Sequence, residues 1–233
     1  MADAMPVSVA VDGDVFTAHP DYVALILLAD DIANGPSDDA SSAVLDGAEQ
    51  HLRARGLTRP ADDPHIAAWR AAFSAFGAKP SKYPCSAEAL ASRVLKGGTL
   101  PRVNVLVDLY NAVSVRALTP VGGEDLDHLR GALRLAIANG DEPFDGHDGT
   151  PRPGEIVWRD DAGVTCRRWN WRQGVRTRLT EASTRAFFVF DRLPGLDENQ
   201  LDDAASQLES LLNARWPRFT THRIRLNCER SQS

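Results

Sequence analysis

The order of two hydrophobic periodicities along the chain most strongly constrains its fold. Between residues 43 and 118, apolar residues recur at helical spacing in four segments, whereas after Leu129 they form short runs separated by turn-forming residues. Helices that precede strands indicate an α+β domain, because a doubly wound α/β sheet needs strands and helices in alternation. We therefore predict an α+β fold.

Single segments give the expected elements. Residues 6–16, PVSVAVDGDVF, alternate apolar and polar residues around DGD, which predicts a β-hairpin. The apolar run at 22–29 predicts a buried strand, and Asp and Ser residues before 43–55 predict a capped helix there. The other predicted helices are 65–77, 86–98, 100–118 and 197–215. The other predicted strands are 132–138, 155–160, 164–172, 185–193 and 218–226.

The chain of 233 residues is long enough for one large domain, and no composition shift divides residues 60 to 220. We expect an N-terminal extension at 1–60, containing the hairpin, the strand and the first helix, that packs on the main domain. The main domain is expected at 61–226 and a flexible tail at 227–233.

Composition excludes several classes of protein. The net charge of −6 argues against a chain that binds nucleic acid over its whole surface, but it leaves room for a local basic patch. Cys85, Cys166 and Cys228 include no CxxC pair, and the six histidines lack ligand spacing, so we predict no disulfide framework and no metal site. The chain start does not resemble a signal peptide, and the longest apolar run is too short to cross a bilayer. We predict a cytoplasmic protein without membrane association.

Residues 164–173, VTCRRWNWRQ, place two tryptophans among arginines. In a continuous strand, Arg168, Asn170 and Arg172 would share one face and the two tryptophans the other. The first face would suit a carboxylate, a phosphate or a ribose, since six arginines lie between residues 164 and 185 against one acidic residue. Two alternatives are core tryptophans with solvated arginines, and tryptophans presented for base stacking.

Residues 120–125, PVGGED, contain paired glycines. The backbone N–H groups of Gly122 and Gly123 could form a concave nest for a carboxylate, or for the oxyanion of an ester under attack. The simpler interpretation is a tight turn.

Isolated polar residues form a further set of candidates. On the helix at 100–118, Asn111 and Ser114 share a face, while Arg116 does not lie with both. They either line a cavity or are satisfied in the core. Glu142 and Glu155 are candidates for a general base or an ammonium ligand, with surface exposure as the alternative. The sequence contains no GxSxG, HExxH, Walker or GxGxxG motif.

Six motifs occur in an order that resembles a known family: FGAKPSKYPCSAEAL, LPRVNVLVDLYNAVSV, PVGGEDLD, GDEPF, PGEIVWRD and CRRWNWRQ. They resemble the stand-alone B3/B4 proteins, relatives of the tRNA-editing domain in the phenylalanyl-tRNA synthetase beta subunit. The resemblance covers roughly residues 65 to 215. It implies a two-layer α+β domain, with helices on a mostly antiparallel sheet, and a cavity that hydrolyses mischarged aminoacyl-tRNA by positioning water without a nucleophilic side chain or cofactor.

The family pattern places the pocket asparagine on Asn111 and the pocket loop on residues 120–125, ending at Asp125. The histidine that the synthetase carries in this loop corresponds to Gly122. The synthetase's pocket glutamate aligns loosely with residues 170–173. These departures leave the amino-acid specificity open.

The resemblance leads to a hypothesis for an enzyme that acts on aminoacyl-tRNA. Arg168 and Arg172 would hold the tRNA 3′ end, while Asn111, Ser114 and Asn170 would orient the aminoacyl group. Arg116 and Asp125 complete the predicted binding set.

In the same hypothesis the Gly122 and Gly123 amides stabilise the oxyanion, and Glu142 or Glu155 binds the ammonium group or the water. The alternatives are a module that binds tRNA or an amino-acid-like small molecule without turnover, and a scaffold with a vestigial pocket. The chain is too short for a complete aminoacyl-tRNA synthetase.

Overall fold

The computed structural model describes residues 7–228 and contains helices and two β-sheets. The helices are α1 (Gly13–Ala18), α2 (Asp39–Ala54), α3 (Pro64–Ala75), α4 (Ser86–Leu95), α5 (Val105–Ala117) and α6 (Glu198–Arg215). The strands are β1 (Val9–Val11), β2 (Val23–Asp30), β3 (Val121–Asp125), β4 (Leu133–Ile137), β5 (Ile156–Asp160), β6 (Gly163–Arg167), β7 (Arg172–Gln173), β8 (Ala186–Arg192) and β9 (Thr220–Leu226). Residues 229–233, most of the expected tail, lie outside the described residues.

The strands divide between a five-stranded sheet, in the order β1-β4-β5-β6-β7, and a four-stranded sheet, in the order β3-β8-β2-β9. Neighbouring strands are antiparallel except β1 and β4, which are parallel. Helices α5 and α6 pack on one face of the four-stranded sheet. The predicted α+β class with mostly antiparallel pairing is confirmed.

Strand β2 is central in the four-stranded sheet, and this position explains its uninterrupted apolar sequence. Leu25 and Leu27 face the core shared with α5 and α6, whereas Ile26 and Leu28 face the core on the other side. Strands buried on both faces show apolar runs instead of alternation. The N-terminal segment therefore supplies β1 to one sheet and β2 to the other.

The hairpin predicted at 6–16 is wrong. β1 pairs in parallel with β4, from Val9 opposite Leu133, and the chain then enters the short helix α1. Asp12 is the N-terminal cap residue of that helix, so DGD starts a helix instead of closing a turn. Both interpretations use the same residues, because Asp and Gly favour helix starts as well as hairpin turns.

Local capping sets where two of the predicted helices begin. α2 starts at Asp39, where Asp38 and Ser41 form a reciprocal capping box. α5 starts at Val105 and not at residue 100, because the Asn104 side chain accepts a hydrogen bond from the Val107 N–H.

The two sheets meet at the edge strand β3. The Gln173 side chain of β7 donates to the Gly123 carbonyl of β3 at 2.8 Å, and Asp125 N–H donates to the Thr177 carbonyl at 2.8 Å. Helices α4 and α5 both contact β3. A cavity lies at this junction.

Candidate functional site

The cavity between the two sheets has a volume of about 270 Å³. Its walls come from α4, α5, β3, β5, β6, β7, β8 and the turn between β6 and β7. The lining residues are Ser86, Ala89, Leu90, Tyr110, Asn111, Val121, Gly122, Gly123, Glu124, Trp158, Cys166, Trp169, Asn170, Trp171, Gln173 and Val189. A mostly apolar wall with a few polar groups is typical of small-ligand sites.

The continuous strand predicted at 164–172 is wrong, because the chain turns sharply between β6 and β7. Arg168 and Trp169 have φ values of 47° and 63°, in the left-handed region that bulky residues rarely adopt. The Asn170 N–H donates to the Arg168 carbonyl at 2.7 Å within this turn. The strand alternation used to sort these side chains therefore does not apply.

The turn separates the two tryptophans. Trp169 is fully buried and packs edge-to-face against Tyr22 and Trp69, at centroid distances of 4.8 and 5.0 Å. Trp171 is half-buried and packs against Tyr83 near the surface. Trp169 belongs to the core, as one alternative expected, whereas Trp171 lines the cavity.

We expect Trp169→Ala to lower the free energy of unfolding by about 3 kcal/mol, because it removes a fully buried indole and its ring contacts. Urea denaturation followed by circular dichroism measures this change. Trp171→Ala is the matched control and should cost less than half as much, since Trp171 is half-buried. Equal losses in the two variants would contradict the assignment of Trp169 to the core.

A buried hydrogen-bond network fixes the orientation of Asn170. Its Nδ2 donates to Asp191 Oδ2 at 3.0 Å, and Tyr22 donates its hydroxyl to Asp191 Oδ1 at 2.6 Å. Burial raises the pKa of Asp191 to about 6. Because Asp191 accepts from the amide nitrogen, the Asn170 carbonyl oxygen takes no part in this network. That oxygen is buried and has no hydrogen-bond partner within residues 7–228.

Glu124 is the carboxylic acid in the cavity wall, and the sequence analysis missed it. It is 5% exposed, and its Oε2 atom is without a hydrogen-bond partner among the described residues. Burial raises its pKa to about 7, and the nearby hydroxyls of Thr165 and Thr177 oppose that rise without completing hydrogen bonds. The alternation of side chains along a strand could have identified it, because Glu124 lies two residues from Gly122 and therefore on the same face of β3.

Unpaired buried polar atoms are concentrated around this cavity. Among residues 7–228 ten side-chain atoms are buried without a partner, and five of them belong to lining residues. These five are Ser86 Oγ, Glu124 Oε2, Trp158 Nε1, Trp169 Nε1 and Asn170 Oδ1, although the Trp169 N–H lies beside the Tyr22 hydroxyl. Buried polar groups are nearly always paired, so a cluster of exceptions indicates a site for a polar ligand.

The family comparison agrees with the motif order. The B3/4 domain model matches residues 68–210, which is more than half of the chain. The chain belongs to the B3/4 domain family.

Solved structures also resemble this B3/4 domain protein. One of them is an N-terminal fragment of the phenylalanyl-tRNA synthetase beta-subunit from Pyrococcus horikoshii, with 10% sequence identity and a TM-score of 0.49. The likeness covers 97% of this chain and 55% of that chain, so this chain spans about half the length of the solved fragment. No curated protein matches the chain.

The glycine nest predicted in the B3/4 domain at 120–125 is wrong, because these residues form the extended strand β3. Gly122 pairs with Val189 and Gly123 with Phe188 of β8. Hydrogen bonds from Asp191 N–H to the Pro120 carbonyl and from Leu126 N–H to the Arg185 carbonyl set the alternation of this ladder. The Gly122 N–H therefore faces β8, and the Gly123 N–H faces away from it.

The two glycines differ in the space around them. A Cβ at Gly122 would meet only Val189, at 3.5 Å, among the described residues, and a side chain there would enter the cavity. A Cβ at Gly123 would lie 2.8 Å from Leu179 and 3.0 Å from Tyr110. A side chain at position 123 would therefore crowd the core, whereas Gly122 leaves room in the cavity.

The predicted acids Glu142 and Glu155 lie outside the cavity lining. The Glu142 carboxylate accepts two backbone N–H groups of the loop before it, which lowers its pKa against the effect of burial. Glu155 forms a paired ion bridge with the buried Arg167, with N–O distances of 2.9 and 2.8 Å. Both acids stabilise loops of the five-stranded sheet.

Three other predicted residues also lie outside the cavity lining. Ser114 donates its hydroxyl to the Thr119 carbonyl at 2.6 Å within the core. Asp125 caps the turn after β3 and accepts the Ser183 hydroxyl. Arg116 lies in a separate surface groove near the ends of α2 and α5. Of the predicted residues, the structure brings together Gly122, Gly123, Asn111 and Asn170.

The arginine cluster carries less free charge than its sequence suggested. Arg167 is paired with Glu155, and Arg176 with Asp160 at 2.7 Å. Arg168 and Arg172 remain beside Trp171, with their guanidinium carbons 4.4 and 4.7 Å from its ring centroid. These two lie beside the cavity wall, although neither lines it.

The cysteines near the cavity are poor nucleophiles. Burial raises the pKa of the Cys85 thiol to about 12 and that of Cys166 well above its ordinary value. Only the thiolate is strongly nucleophilic, so neither thiol is activated. Across residues 7–228 there is no group of three or more potential metal ligands, and no helix there is long and apolar enough to cross a membrane.

Proposed function

We propose that the cavity holds the aminoacyl group of a mischarged aminoacyl-tRNA and that this B3/4 domain protein hydrolyses the ester. The observation that carries the proposal is the set of unpaired polar atoms around a cavity of about 270 Å³. An aminoacyl ester carries an ammonium group that donates hydrogen bonds and an ester carbonyl that accepts them. The residues around the cavity have unpaired acceptors and unpaired donors to match.

Glu124 is the proposed general base. Its pKa of about 7 suits proton transfer near neutral pH, and it needs no activated nucleophile because water attacks the ester. The proton passes from the attacking water to Glu124 as the carbon–oxygen bond to water forms. Glu124 then returns this proton to the 3′-terminal oxygen of the tRNA as the ester bond breaks, which releases the tRNA hydroxyl and the free amino acid.

The other lining groups are proposed to orient the substrate. The Asn170 carbonyl oxygen, held in place through Asp191, accepts from the ammonium group of the amino acid. The Trp158 indole N–H stabilises the oxyanion of the tetrahedral intermediate, and the Asn111 side chain faces the acyl group. A preorganised oxyanion donor contributes on the order of 3 kcal/mol to the transition state.

The test is a deacylation assay with a panel of tRNAs, each carrying a correct or an incorrect radiolabelled amino acid. We expect ester release well above the uncatalysed rate for at least one mischarged pair and little release for its correct counterpart. Release at the uncatalysed rate from every pair would sink the proposal.

A binding module without turnover is the second candidate. The net charge of −6 and the internal pairing of Arg167 and Arg176 favour such a module for an amino-acid-like small molecule, because tRNA capture needs free cationic surface. Measuring the affinity of the protein for each ligand at two salt concentrations distinguishes a tRNA-binding module from one that binds an amino-acid-like molecule. tRNA binding should weaken steeply with salt, whereas binding of an amino-acid-like molecule should change far less.

A further inference from the structure

A surface cluster of alternating aromatic and cationic side chains adjoins the cavity. The Arg168 guanidinium lies between Tyr83 and Trp171, at 3.9 and 4.4 Å from their ring centroids. The exposed Arg172 guanidinium lies 4.7 Å from the Trp171 ring, and Lys82 lies 5.1 Å from the Tyr83 ring. We call Lys82, Tyr83, Arg168, Trp171 and Arg172 the aromatic platform. The aromatic platform borders the cavity, because its member Trp171 also lines the cavity.

Charge around the aromatic platform is incompletely neutralised. Arg168 is 94% buried, yet its nearest carboxylate oxygen, on Glu155, is 3.9 Å away, and that acid already pairs with Arg167. Nη1 of Arg168 finds no hydrogen-bond partner in the described part of the chain. Arg172 is exposed, and its Nε lies 3.4 Å from a carboxylate oxygen of the exposed Asp148. A buried guanidinium with an unused donor favours an anionic ligand nearby.

The backbone is held in a rare conformation to build this surface. Arg168 and Trp169 both have left-handed φ values, which non-glycine residues rarely adopt. The turn they form buries Trp169 but exposes part of Trp171 beside the cavity.

We infer that the aromatic platform binds the single-stranded 3′ end of an RNA, with a base on Trp171 and phosphates on Arg172 and Lys82. A base that stacks on Trp171 takes the place of the exposed Arg172 guanidinium, which is then free to pair with a phosphate. Aromatic rings and guanidinium planes are the side chains on which unpaired RNA bases stack. This inference rests on the proposed function, since it places the ester at the cavity entrance.

The probe is a fluorescein-labelled RNA hairpin with four unpaired nucleotides at its 3′ end, compared with the same hairpin made blunt. Wild-type protein should bind the overhang form at least tenfold more tightly, because each stacked base is worth about 1–3 kcal/mol. Tyr83→Ala and Trp171→Ala should each weaken overhang binding about tenfold, and Trp171→Phe should retain most of it. Arg172→Ala should reduce the dependence of log affinity on log salt concentration by an amount equal to about one lost phosphate contact.

Arg134→Ala is the matched control, because Arg134 is equally exposed but lies on β4, away from Trp171. It should leave overhang binding unchanged. Thermal unfolding of every variant checks that it folds. Equal affinity for the blunt and overhang hairpins, or losses below twofold in both folded alanine variants, would overturn the inference.

The readout separates this inference from the proposed function. The hairpins carry no amino acid, so an absence of ester hydrolysis with overhang preference intact would refute only the hydrolase proposal. Tyr83 does not line the cavity. If the protein hydrolyses the ester but binds the blunt and overhang hairpins with equal affinity, only the assignment of the aromatic platform as an RNA site is refuted.

Discussion

Glu124→Gln should lower the rate of ester hydrolysis by about 10²- to 10⁴-fold, the range expected for a lost general base. The substitution keeps the size of the side chain but removes the group that accepts the proton from water. For the wild-type protein, kcat/KM should rise with pH and level off above about 7, as Glu124 ionises. Single-turnover deacylation across pH 5.5 to 8.5 measures both effects. A variant with an unchanged rate and the same pH profile would exclude Glu124 as the base.

The same variant has a separate effect on stability. The ordinary pKa of 4.5 describes Glu124 in the unfolded chain, and burial raises it to about 7 in the folded protein. As pH rises from 4.5 to 7 the unfolded chain loses this proton first, so this carboxyl lowers the stability of the fold across that window. The loss is complete above about pH 7 and amounts to about 3 kcal/mol.

Glu124→Gln removes this contribution, so the variant should be more stable than wild type at pH 8 and equally stable near pH 4. Asp191 adds a similar decline between pH 3.8 and 6, but it is present in both proteins and cancels in the comparison. Urea denaturation at pH 4, 6 and 8 measures the difference. The gain in stability follows from burial alone, so activity decides the role: gained stability with lost activity is expected of a functional acid, whereas gained stability with unchanged activity would mean a purely structural role for Glu124.

Much of the fold could be predicted because periodicity and capping are local properties. The run at 22–29 could only be buried on both faces, and Asp38 and Asn104 are side chains that cap helices. DGD at 12–14 could not be resolved in the same way, since its residues suit both a turn and a helix start. The β1 partner, β4, is more than 120 positions away, and nothing local encodes that pairing.

The site could be predicted only in part, because it depends on how distant segments meet. Asn111, Asn170 and the glycine pair were identified from motifs, and all of them line the cavity. Nothing in the sequence distinguishes Glu142 and Glu155 from Glu124. In the structure, Glu142 accepts hydrogen bonds from backbone N–H groups and Glu155 pairs with an arginine. A buried acid differs from a paired one only through its neighbours.

The turn at 168–171 shows why alternation failed within residues 164–173. A strand pattern assumes extended backbone, whereas two consecutive left-handed residues reverse the chain and reassign each side chain. Arg168 and Arg172 were expected to project together from a sheet face. They instead flank the Trp171 ring, so Trp171 lies at the centre of the surface beside the cavity.

Gly122→Leu should reduce ester hydrolysis by at least about 100-fold without a loss of stability, because the new side chain would fill the cavity and displace the acyl group. The position tolerates a Cβ, whose one near neighbour within residues 7–228 would be Val189 at 3.5 Å. Gly122→Ala is the graded control and should cost much less activity. Deacylation rates and urea denaturation measured on the same samples test both parts.

A substitution at the adjacent glycine should give the opposite result. Gly123→Ala forces a Cβ to within 2.8 Å of Leu179 and 3.0 Å of Tyr110, and overpacking of this kind costs about 1–3 kcal/mol of stability. Position 122 therefore affects activity through the cavity, and position 123 affects stability through the core. A Gly122→Leu variant that is folded and fully active would show that the substrate does not enter this cavity, and the ester would then have to be hydrolysed elsewhere on the protein.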